Sequence, residues 1–282
     1  MQNIVFQLLA AHKEHTHPRA PPLPPLEHIS QYAPFYEIDP HWEASPSNQL
    51  IPKIRAAHQA LGEYRIFNTH LRWDMLPKGS RAKYIYVVRD GRDVLTSFYH
   101  HLTNQHEDDG GFVGDFEDFF RQFLDGTIAY GKWSHHLASW MPNIVGNDET
   151  IINGNPQILL VRYEDLKKDL KQQVVRIAQF LELDEFAATT PTDDDNSPVL
   201  NQVLERVSFA WMREHQDLFH PVSVRWKPGY HFIRTGRVGD HDNIFDEEHK
   251  KIFVETIMSD FGGKDQVPSW LNKYCFHADD KE

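Results

Sequence analysis

Hydrophobic positions along the chain recur at two spacings, one typical of helices and one typical of strands. The first apolar residues follow helical spacing at Met1, Ile4, Val5, Leu8 and Leu9. Similar spacing predicts helices over residues 51–62 and within residues 115–140. After residue 163 one further helix is expected, with a single apolar face that consists of Leu166, Leu170, Val174, Ile177 and Leu181. Residues 17–28 are rich in proline, which excludes a helix or a central strand there.

Three short apolar runs predict β-strands because they are rich in β-branched and aromatic residues. The first covers residues 63–70 and ends at His70, the second is Tyr84–Val88, and the third ends near Tyr163. Strands that alternate with helices predict an α/β fold of three layers, with a mostly parallel sheet flanked by helices. Ligands of such sheets bind beyond the carboxyl ends of the strands, so His70, Arg89 and Tyr163 should lie at one edge.

The stretch from Arg89 to Ser97 connects the second strand to a helix. One face of this helix is formed by Leu95, Phe98, Tyr99 and Leu102. Asp93 stands where we expect the residue that caps the helix N-terminus. An arginine, a hydroxyl group and the free N–H groups of a helix N-terminus together would bind an anion.

Composition limits where such an anion site can come from. The 282 residues are 40% hydrophobic and 25% charged, as in a globular protein, with a formal net charge of −12. This charge argues against general nucleic-acid binding, so any anion site must be local. We see no internal repeat or linker, which predicts a single domain over residues 1–282.

The same sequence predicts a cytoplasmic protein. A single cysteine, Cys275, excludes an internal disulfide and fits a reducing compartment. No apolar run is long enough to span a membrane, and no signal-peptide pattern opens the chain. The histidines are not accompanied by cysteine pairs or by a His-Glu-x-x-His helix, so we expect no metal site.

The motifs, taken together, resemble the cytosolic sulfotransferase family, in register from Met1 to about residue 255. In that family an Arg-x-x-x-Asp-x-x-x-Ser motif binds the 3′-phosphate of 3′-phosphoadenylyl sulfate (PAPS), which implies this role for Arg89 and Ser97. The "THL" segment implies that His70 is the catalytic histidine, and "RYED" implies that Tyr163 contacts the adenine. Similar motifs place six more residues near the nucleotide: Ser208, Phe209, Met212, Arg234, Thr235 and Gly236.

This resemblance implies a P-loop nucleotide-hydrolase-like fold and transfer of a sulfuryl group from PAPS, as co-substrate, to a hydroxyl or amine. The acceptor would be a small phenol, alcohol, steroid or amine, selected by loops near residues 28–50, 104–116 and 217–232. Aromatic residues in the first of these loops are candidates for an acceptor pocket or for the core: Tyr32, Phe35, Tyr36 and Trp42. Whether the protein forms a homodimer is left open by the sequence.

The sequence also departs from the family pattern. The glycine-rich loop Pro-Lys-Ser-Gly-Thr-Thr-Trp, which cradles the 5′-phosphosulfate, would precede Met1, so we expect an N-terminally truncated domain that lacks the first strand and this loop. Asn68 and Thr235 replace lysines, and His241 replaces a tryptophan. The alternative function is therefore an inactive remnant that binds adenosine 3′,5′-bisphosphate (PAP) or a protein partner. A P-loop kinase relative is disfavoured, because kinases have no counterpart of the Arg-Ser motif.

Overall fold

The computed structural model describes residues 1–37, 50–79, 81–144, 155–187, 197–267 and 271. Trp42 and Cys275 lie outside these residues. The chain divides into two units, the first formed by Met1–His70, Asp165–Ser223 and His231–Gly236, and the second by Leu71–Glu164, Val224–Tyr230 and Arg237–Glu282. A single domain over residues 1–282 stays a prediction.

The regular elements of the first unit, within its described residues, are helices, apart from one isolated bridge. Its helices are α1 (Gln2–Thr16), α2 (Leu50–Ala60), α7 (Leu170–Phe180), α8 (Asp184–Ala187), α9 (Pro198–Val207) and α10 (Phe209–Glu214), and the unit boundary falls within α6 (Tyr163–Lys168). Every residue from Asn3 to Leu9 is buried, because α1 packs against both α7 and α9. The helices predicted at the chain start and over residues 51–62 are confirmed.

The strand predicted over residues 63–70 is wrong. Asn68 forms one isolated parallel bridge with Phe35, through hydrogen bonds from Tyr36 N to Asn68 O (2.7 Å) and from Asn68 N to Pro34 O (2.9 Å). The apolar run does not form a buried strand, since the side chain of Phe67 is 46% exposed. His70 therefore follows an irregular segment instead of a strand.

The single helix predicted after residue 163 is two helices, α6 and α7. The side chain of Asp169 accepts a hydrogen bond from the backbone N–H of Gln172 (2.9 Å) and so caps the start of α7. Aspartate favours such caps because its carboxylate satisfies an N–H group that has no partner within the helix. The apolar spacing continues across the break, which is why the pattern predicted one helix.

The second unit contains a small parallel sheet. Strand β1 (Tyr84–Val88) pairs with β2 (Ile158–Arg162), with Tyr84 opposite Ile158. Its helices are α3 (Gly91–Asn104), α4 (Phe116–Asp125), α5 (Trp133–Trp140) and α11 (Glu247–Asp260). The α/β class and the bounds of β1 are confirmed, although the described residues contain two strands of the three predicted.

Two hydrophobic clusters form the core of this unit. One consists of side chains from both strands and from α5, including Tyr86, Leu160 and Trp140. The other is rich in phenylalanine and joins α3, α4 and α11 through residues such as Phe119 and Phe253. These clusters fix the end of β1 and the start of α3, the point from which Arg89 projects.

Helix α3 is capped by Asp90, so the prediction of Asp93 as its cap is wrong. Asp90 Oδ1 accepts a hydrogen bond from the backbone N–H of Arg92 (2.9 Å), and its carboxylate also pairs with the Arg92 guanidinium (2.6 Å). Asp93 lies within the first turn of the helix, where it is fully buried.

In the described part of the chain no helix is long and apolar enough to cross a membrane.

Candidate functional site

Arg89 follows directly after β1 and carries an unused hydrogen-bond donor. Its Nη2 donates to Asp93 Oδ2 (3.1 Å) and to the carbonyl oxygen of Arg237 (2.8 Å). Its Nε is buried and has no hydrogen-bond partner among the described residues. A buried donor without an acceptor is costly, and an anion bound at this guanidinium would remove the cost.

Asp93 holds Arg89 in place and is itself held by the segment 239–241. Its Oδ2 accepts from the backbone N–H of Gly239 (3.0 Å), and its Oδ1 accepts from the backbone N–H of His241 (3.0 Å). The His241 ring lies against the same carboxylate, with Nδ1 2.8 Å from Oδ1. Burial alone would raise the pKa of Asp93, but hydrogen bonds from His241 and the charge of Arg89 outweigh it and lower the pKa to about 2.

Tyr163 stands at the end of β2 with its ring under Arg89. The guanidinium carbon lies 4.5 Å from the centre of the ring, a cation–π contact. Burial raises the pKa of the Tyr163 hydroxyl, so the phenol stays neutral. One face of the ring is therefore occupied by Arg89, and a purine would have to contact the opposite face or the edge.

Ser97 lies on α3, one turn beyond Asp93, and is exposed. Arg89, Asp93 and Tyr163 thus form a contact cluster, while Ser97 adds a hydroxyl on the same helix as Asp93. The spacing of Arg89 and Ser97 indicated a site here. The roles of these residues toward a nucleotide stay predictions.

His70, in the first unit, is exposed and is flanked by Phe35 and Glu37. Its ring stacks on that of Phe35, with ring centres 4.8 Å apart and planes 2° apart. Glu37 Oε1 accepts a hydrogen bond from the His70 backbone N–H (2.6 Å) and lies 3.9 Å from the ring Nδ1. The second carboxylate oxygen, Oε2, is buried and has no hydrogen-bond partner among the described residues.

Ser208, Phe209 and Met212 lie at the start of α10. The hydroxyl of Ser208 accepts a hydrogen bond from the backbone N–H of Trp211 (3.2 Å), so it caps this helix. Phe209 and Met212 are half-buried. The Ser208 hydroxyl therefore has a structural partner, which the sequence motif alone did not reveal.

Gly236 and Phe209 are in direct contact in the first unit. Gly236 has a φ of +60°, and a Cβ at this position would meet the Phe209 ring at 2.7 Å from Cδ2. Lys167 Nζ lies 4.6 Å from the centre of the same ring. Arg234 is half-buried and Thr235 is exposed in the adjacent segment. Two of the predicted residues, Phe209 and Gly236, are thus brought together, and Lys167 adds a cation beside them.

Of the aromatic residues considered for an acceptor pocket, Tyr32 belongs to the core. It is 0% exposed, its ring lies 4.2 Å from that of Phe6, and its hydroxyl donates to the Pro24 carbonyl oxygen. Tyr36 is 41% exposed. Only Phe35 among the described candidates stacks on His70.

Two of the loops considered for acceptor selection are joined in the second unit. Residues 104–106 pair with residues 225–227, and Arg225 binds the carboxylate of Asp109 (2.9 Å).

Within the described residues, no group of three or more His, Cys, Asp or Glu side chains is placed to hold a metal ion.

Comparison with known proteins identifies the family. A family model described as "Sulfotransferase domain" matches residues 1–265. The chain belongs to the sulfotransferase family. This sulfotransferase domain is 31% identical to sulfotransferase 1C2 of Oryctolagus cuniculus over 226 residues, which are 77% of this chain and 66% of the relative.

Two further relatives show how much of a family member this chain covers. It is 32% identical to sulfotransferase 1B1 of Mus musculus, over 64% of this chain and 56% of the relative. It is 30% identical to sulfotransferase 2A1 of Homo sapiens, over 82% of this chain and 77% of the relative. The chain thus spans less than two thirds of the length of the 1C2 and 1B1 relatives above.

Solved structures share the sulfotransferase fold. Mouse sulfotransferase SULT7A1, complexed with PAP, is 24% identical with a TM-score of 0.55, over 79% of this chain and 76% of its own. Retinol dehydratase, complexed with androsterone and PAP, is 20% identical with a TM-score of 0.61, over 95% of this chain and 79% of its own. The fold class predicted from the resemblance is confirmed.

Sequence reasoning missed two contacts of the predicted residues. Glu37 is 33 positions from His70, and no motif that we recognised includes it. The bond between His241 and Asp93 spans 148 positions. His241 was visible as a departure from the family pattern, which is the one signal that marked this position.

Proposed function

We propose that this chain transfers the sulfuryl group of PAPS to a hydroxyl or amine of a small-molecule acceptor. The acceptor oxygen or nitrogen forms a bond to sulfur while the bond between sulfur and the 5′-phosphate oxygen breaks. His70 accepts the acceptor's proton, and PAP leaves with the electron pair of the broken bond. Positioning and charge stabilisation carry most of such a transfer.

The observation that supports this function most directly is the buried Nε of Arg89, which has no hydrogen-bond partner in the part of the chain that the structure describes. Asp93 already accepts four hydrogen bonds, from Arg89, Gly239 and His241, so its carboxylate is saturated. The spare donor of the guanidinium is therefore available to a bound anion. A phosphate suits it, because arginine forms charge-assisted, fork-like contacts with phosphate oxygens.

In this proposal Arg89 and Ser97 bind the 3′-phosphate, and Tyr163 contacts the adenine. The family motifs also indicate six residues of the first unit as nucleotide ligands: Ser208, Phe209, Met212, Arg234, Thr235 and Gly236. We further propose that the protein acts in the cytoplasm. The nucleotide is the co-substrate of the reaction, and the proposal requires no metal ion.

Titration calorimetry with PAP tests the phosphate assignment. Arg89→Ala should weaken binding by roughly 10- to 100-fold, since a hydrogen bond to a charged group contributes about 1.5–3 kcal/mol. Ser97→Ala should weaken it less, because its hydroxyl is neutral. The matched control is Arg121→Ala, since Arg121 is exposed on α4 and pairs with Asp118 (2.8 Å). Unchanged affinity in both the Arg89 and Ser97 variants would contradict the assignment.

A transfer assay separates the enzyme from a protein that only binds the nucleotide. The full chain is incubated with PAPS and a panel of phenols, alcohols and amines, and PAP formation is followed. Sulfated product supports the proposed reaction. PAP binding with no product from any acceptor would favour the alternative, an inactive remnant that retains the nucleotide.

A further inference from the structure

The side chain of His241 is the sequence-specific part of the network that holds Arg89. The backbone N–H groups of Gly239 and His241 also reach Asp93; the first depends on glycine only for its left-handed backbone (φ +76°), and the second needs no particular side chain. Only the His241 ring adds a contact that depends on residue type, with Nδ1 2.8 Å from Asp93 Oδ1. An ionised carboxylate can only accept, so the ring donates its Nδ1–H to Asp93.

Besides Asp93, the His241 ring has one other polar neighbour among the described residues, the carboxylate of Asp242. The His241 side chain is 7% exposed and meets the Phe245 ring edge-on, with ring centres 5.7 Å apart. Its Nε2 lies 3.7 Å from Asp242 Oδ1, and Asp242 is paired with Lys250 (3.2 Å). The ring is thus fixed between a buried carboxylate and an aromatic wall.

We infer that His241 is a positioning residue of the nucleotide site, which acts through Asp93 to keep the Nε of Arg89 available for the 3′-phosphate. This inference rests on the proposed function and extends it to a residue at which the chain departs from the family motif. With His241 present, Asp93 has its full set of donors and takes only Nη2 from Arg89. Without the ring donor, the buried carboxylate would lack one partner, and we expect a further N–H of Arg89, whose Nη2 already contacts this carboxylate, to turn toward it.

A matched pair of substitutions separates the hydrogen bond from the packing of the ring. His241→Phe keeps an aromatic ring against Phe245 and removes the donor. His241→Asn removes the ring and keeps an N–H close to the position of Nδ1. If the ring acts as a donor, His241→Phe should weaken PAP binding about tenfold, the loss expected of one hydrogen bond to a charged group. His241→Asn should then bind PAP within about threefold of wild type. A packing role predicts the reverse order.

Two further measurements exclude a merely structural effect. Adenosine 5′-monophosphate has no 3′-phosphate, so its affinity should change by less than about twofold in His241→Phe. In an Arg89→Met background, His241→Phe should cause no further loss of PAP affinity, because the two residues act through one contact. His106→Phe is the control, since the His106 ring also lies beside a carboxylate, Asp108 (3.4 Å), but its side chain is 45% exposed, against 7% for His241.

The outcomes distinguish this inference from the proposed function. Wild-type affinity for PAP in His241→Phe overturns the role of His241 and leaves the function standing. Equal loss of PAP and adenosine 5′-monophosphate, or an additive loss with Arg89→Met, also overturns it. Failure of the wild-type chain to bind PAP overturns both. Should His241→Phe not fold, the Asn variant decides, because weak PAP binding in a folded Asn variant contradicts the donor role.

Discussion

At the scale of single residues, Glu37 supplies His70 with a charged neighbour. The carboxylate fixes the backbone at His70 and lies 3.9 Å from its ring, while Phe35 covers one ring face. A negative charge at this distance stabilises the positive ring that forms when His70 accepts a proton. The contact arises because residues 34–37 run alongside residues 68–70, an arrangement that no local spacing records.

Replacement of His70 by alanine should abolish most turnover and leave PAP affinity nearly intact. The proton of the acceptor matters only as the nucleophile attacks, and a general base contributes about 10²–10⁴-fold to the rate. The measurements are kcat for an acceptor found in the transfer assay and the Kd for PAP. His17→Ala, at an exposed histidine of the same unit, is the control. If His70→Ala kept most of the activity, another group would be the base.

Asp93 should make the stability of the protein depend on acid pH. Its pKa falls from 3.8 in the unfolded chain to about 2 in the folded protein. A lowered pKa stabilises the fold above the unfolded value, so the contribution is complete above about pH 5 and is lost as the pH falls from about 4 toward 2. The shift corresponds to about 2 kcal/mol at neutral pH.

Urea unfolding of the wild type and of Asp93→Asn checks this dependence. The difference in unfolding free energy between them should be large at pH 6 and should shrink by about 1.5 kcal/mol at pH 2.5, where most of the contribution is lost. Asp118→Asn, at an exposed aspartate on α4, serves as the control and should show little change between the two pH values. A difference that stays constant with pH would show that Asp93 does not titrate with the fold.

At the scale of elements, the sequence predicted those segments whose signals are local. The five residues of β1 and the apolar face of α3 lie next to each other in the chain. Their hydrophobic spacing and the turn between them were therefore sufficient to predict both elements. The strand predicted over residues 63–70 was wrong because a strand requires a neighbouring strand to pair with. In the described chain, this segment forms only one bridge, between Asn68 and Phe35. The hydrogen bonds of Asp93 could not be predicted for a similar reason, since their backbone donors lie near residue 240, far along the chain.

Gly91, the first residue of α3, should tolerate no side chain. A Cβ there would lie 2.7 Å from Phe253 Cζ and 3.0 Å from Trp133 Cε3, both in the core of the second unit. Gly91→Ala should therefore lower the unfolding free energy by about 1–3 kcal/mol, the usual cost of overpacking. Gly79→Ala is the matched control, because a Cβ at Gly79 would meet Ala82 at an ordinary 3.7 Å.

Urea unfolding measures both glycine variants. The expected result is a clear loss in Gly91→Ala and a change within about 0.5 kcal/mol in Gly79→Ala. Equal stability of Gly91→Ala and wild type would mean that the rings of Phe253 and Trp133 can move aside at no cost. The start of α3 would then be less firmly fixed than the packing indicates.

At the scale of the whole molecule, a net charge of −12 opposes the binding of an anionic nucleotide. Affinity for PAP must then come from a few placed groups, among which Arg89 has the unsatisfied buried donor. A net negative charge supplies no overall attraction for an anion, in contrast to proteins that bind nucleic acid through a basic surface. We therefore expect the loss of Arg89 alone to weaken PAP binding measurably in this acidic chain.

PAP should stabilise the whole chain against heat. A ligand at 100 times its Kd stabilises the native state by about 2.7 kcal/mol, which for a chain of this size raises the Tm by about 5 °C. Thermal unfolding with PAP, and with adenosine as the control without phosphates, measures the effect. Arg89→Ala at the same PAP concentration should show a much smaller rise. An equal rise in wild type and Arg89→Ala would indicate that PAP binds elsewhere.

The bonds between Arg89, Asp93 and the 239–241 segment also constrain how the site can evolve. A chain that loses Arg89 leaves Asp93 with three donors, so under the proposed function we expect it to stay folded while it loses the nucleotide. A chain that loses Asp93 first leaves two backbone N–H groups and the buried His241 ring without this acceptor and removes the carboxylate that pairs with Arg89, which is strongly destabilising. Mutational decay of this site should therefore be ordered. In descendants that have abandoned the nucleotide, the aspartate should outlast the arginine.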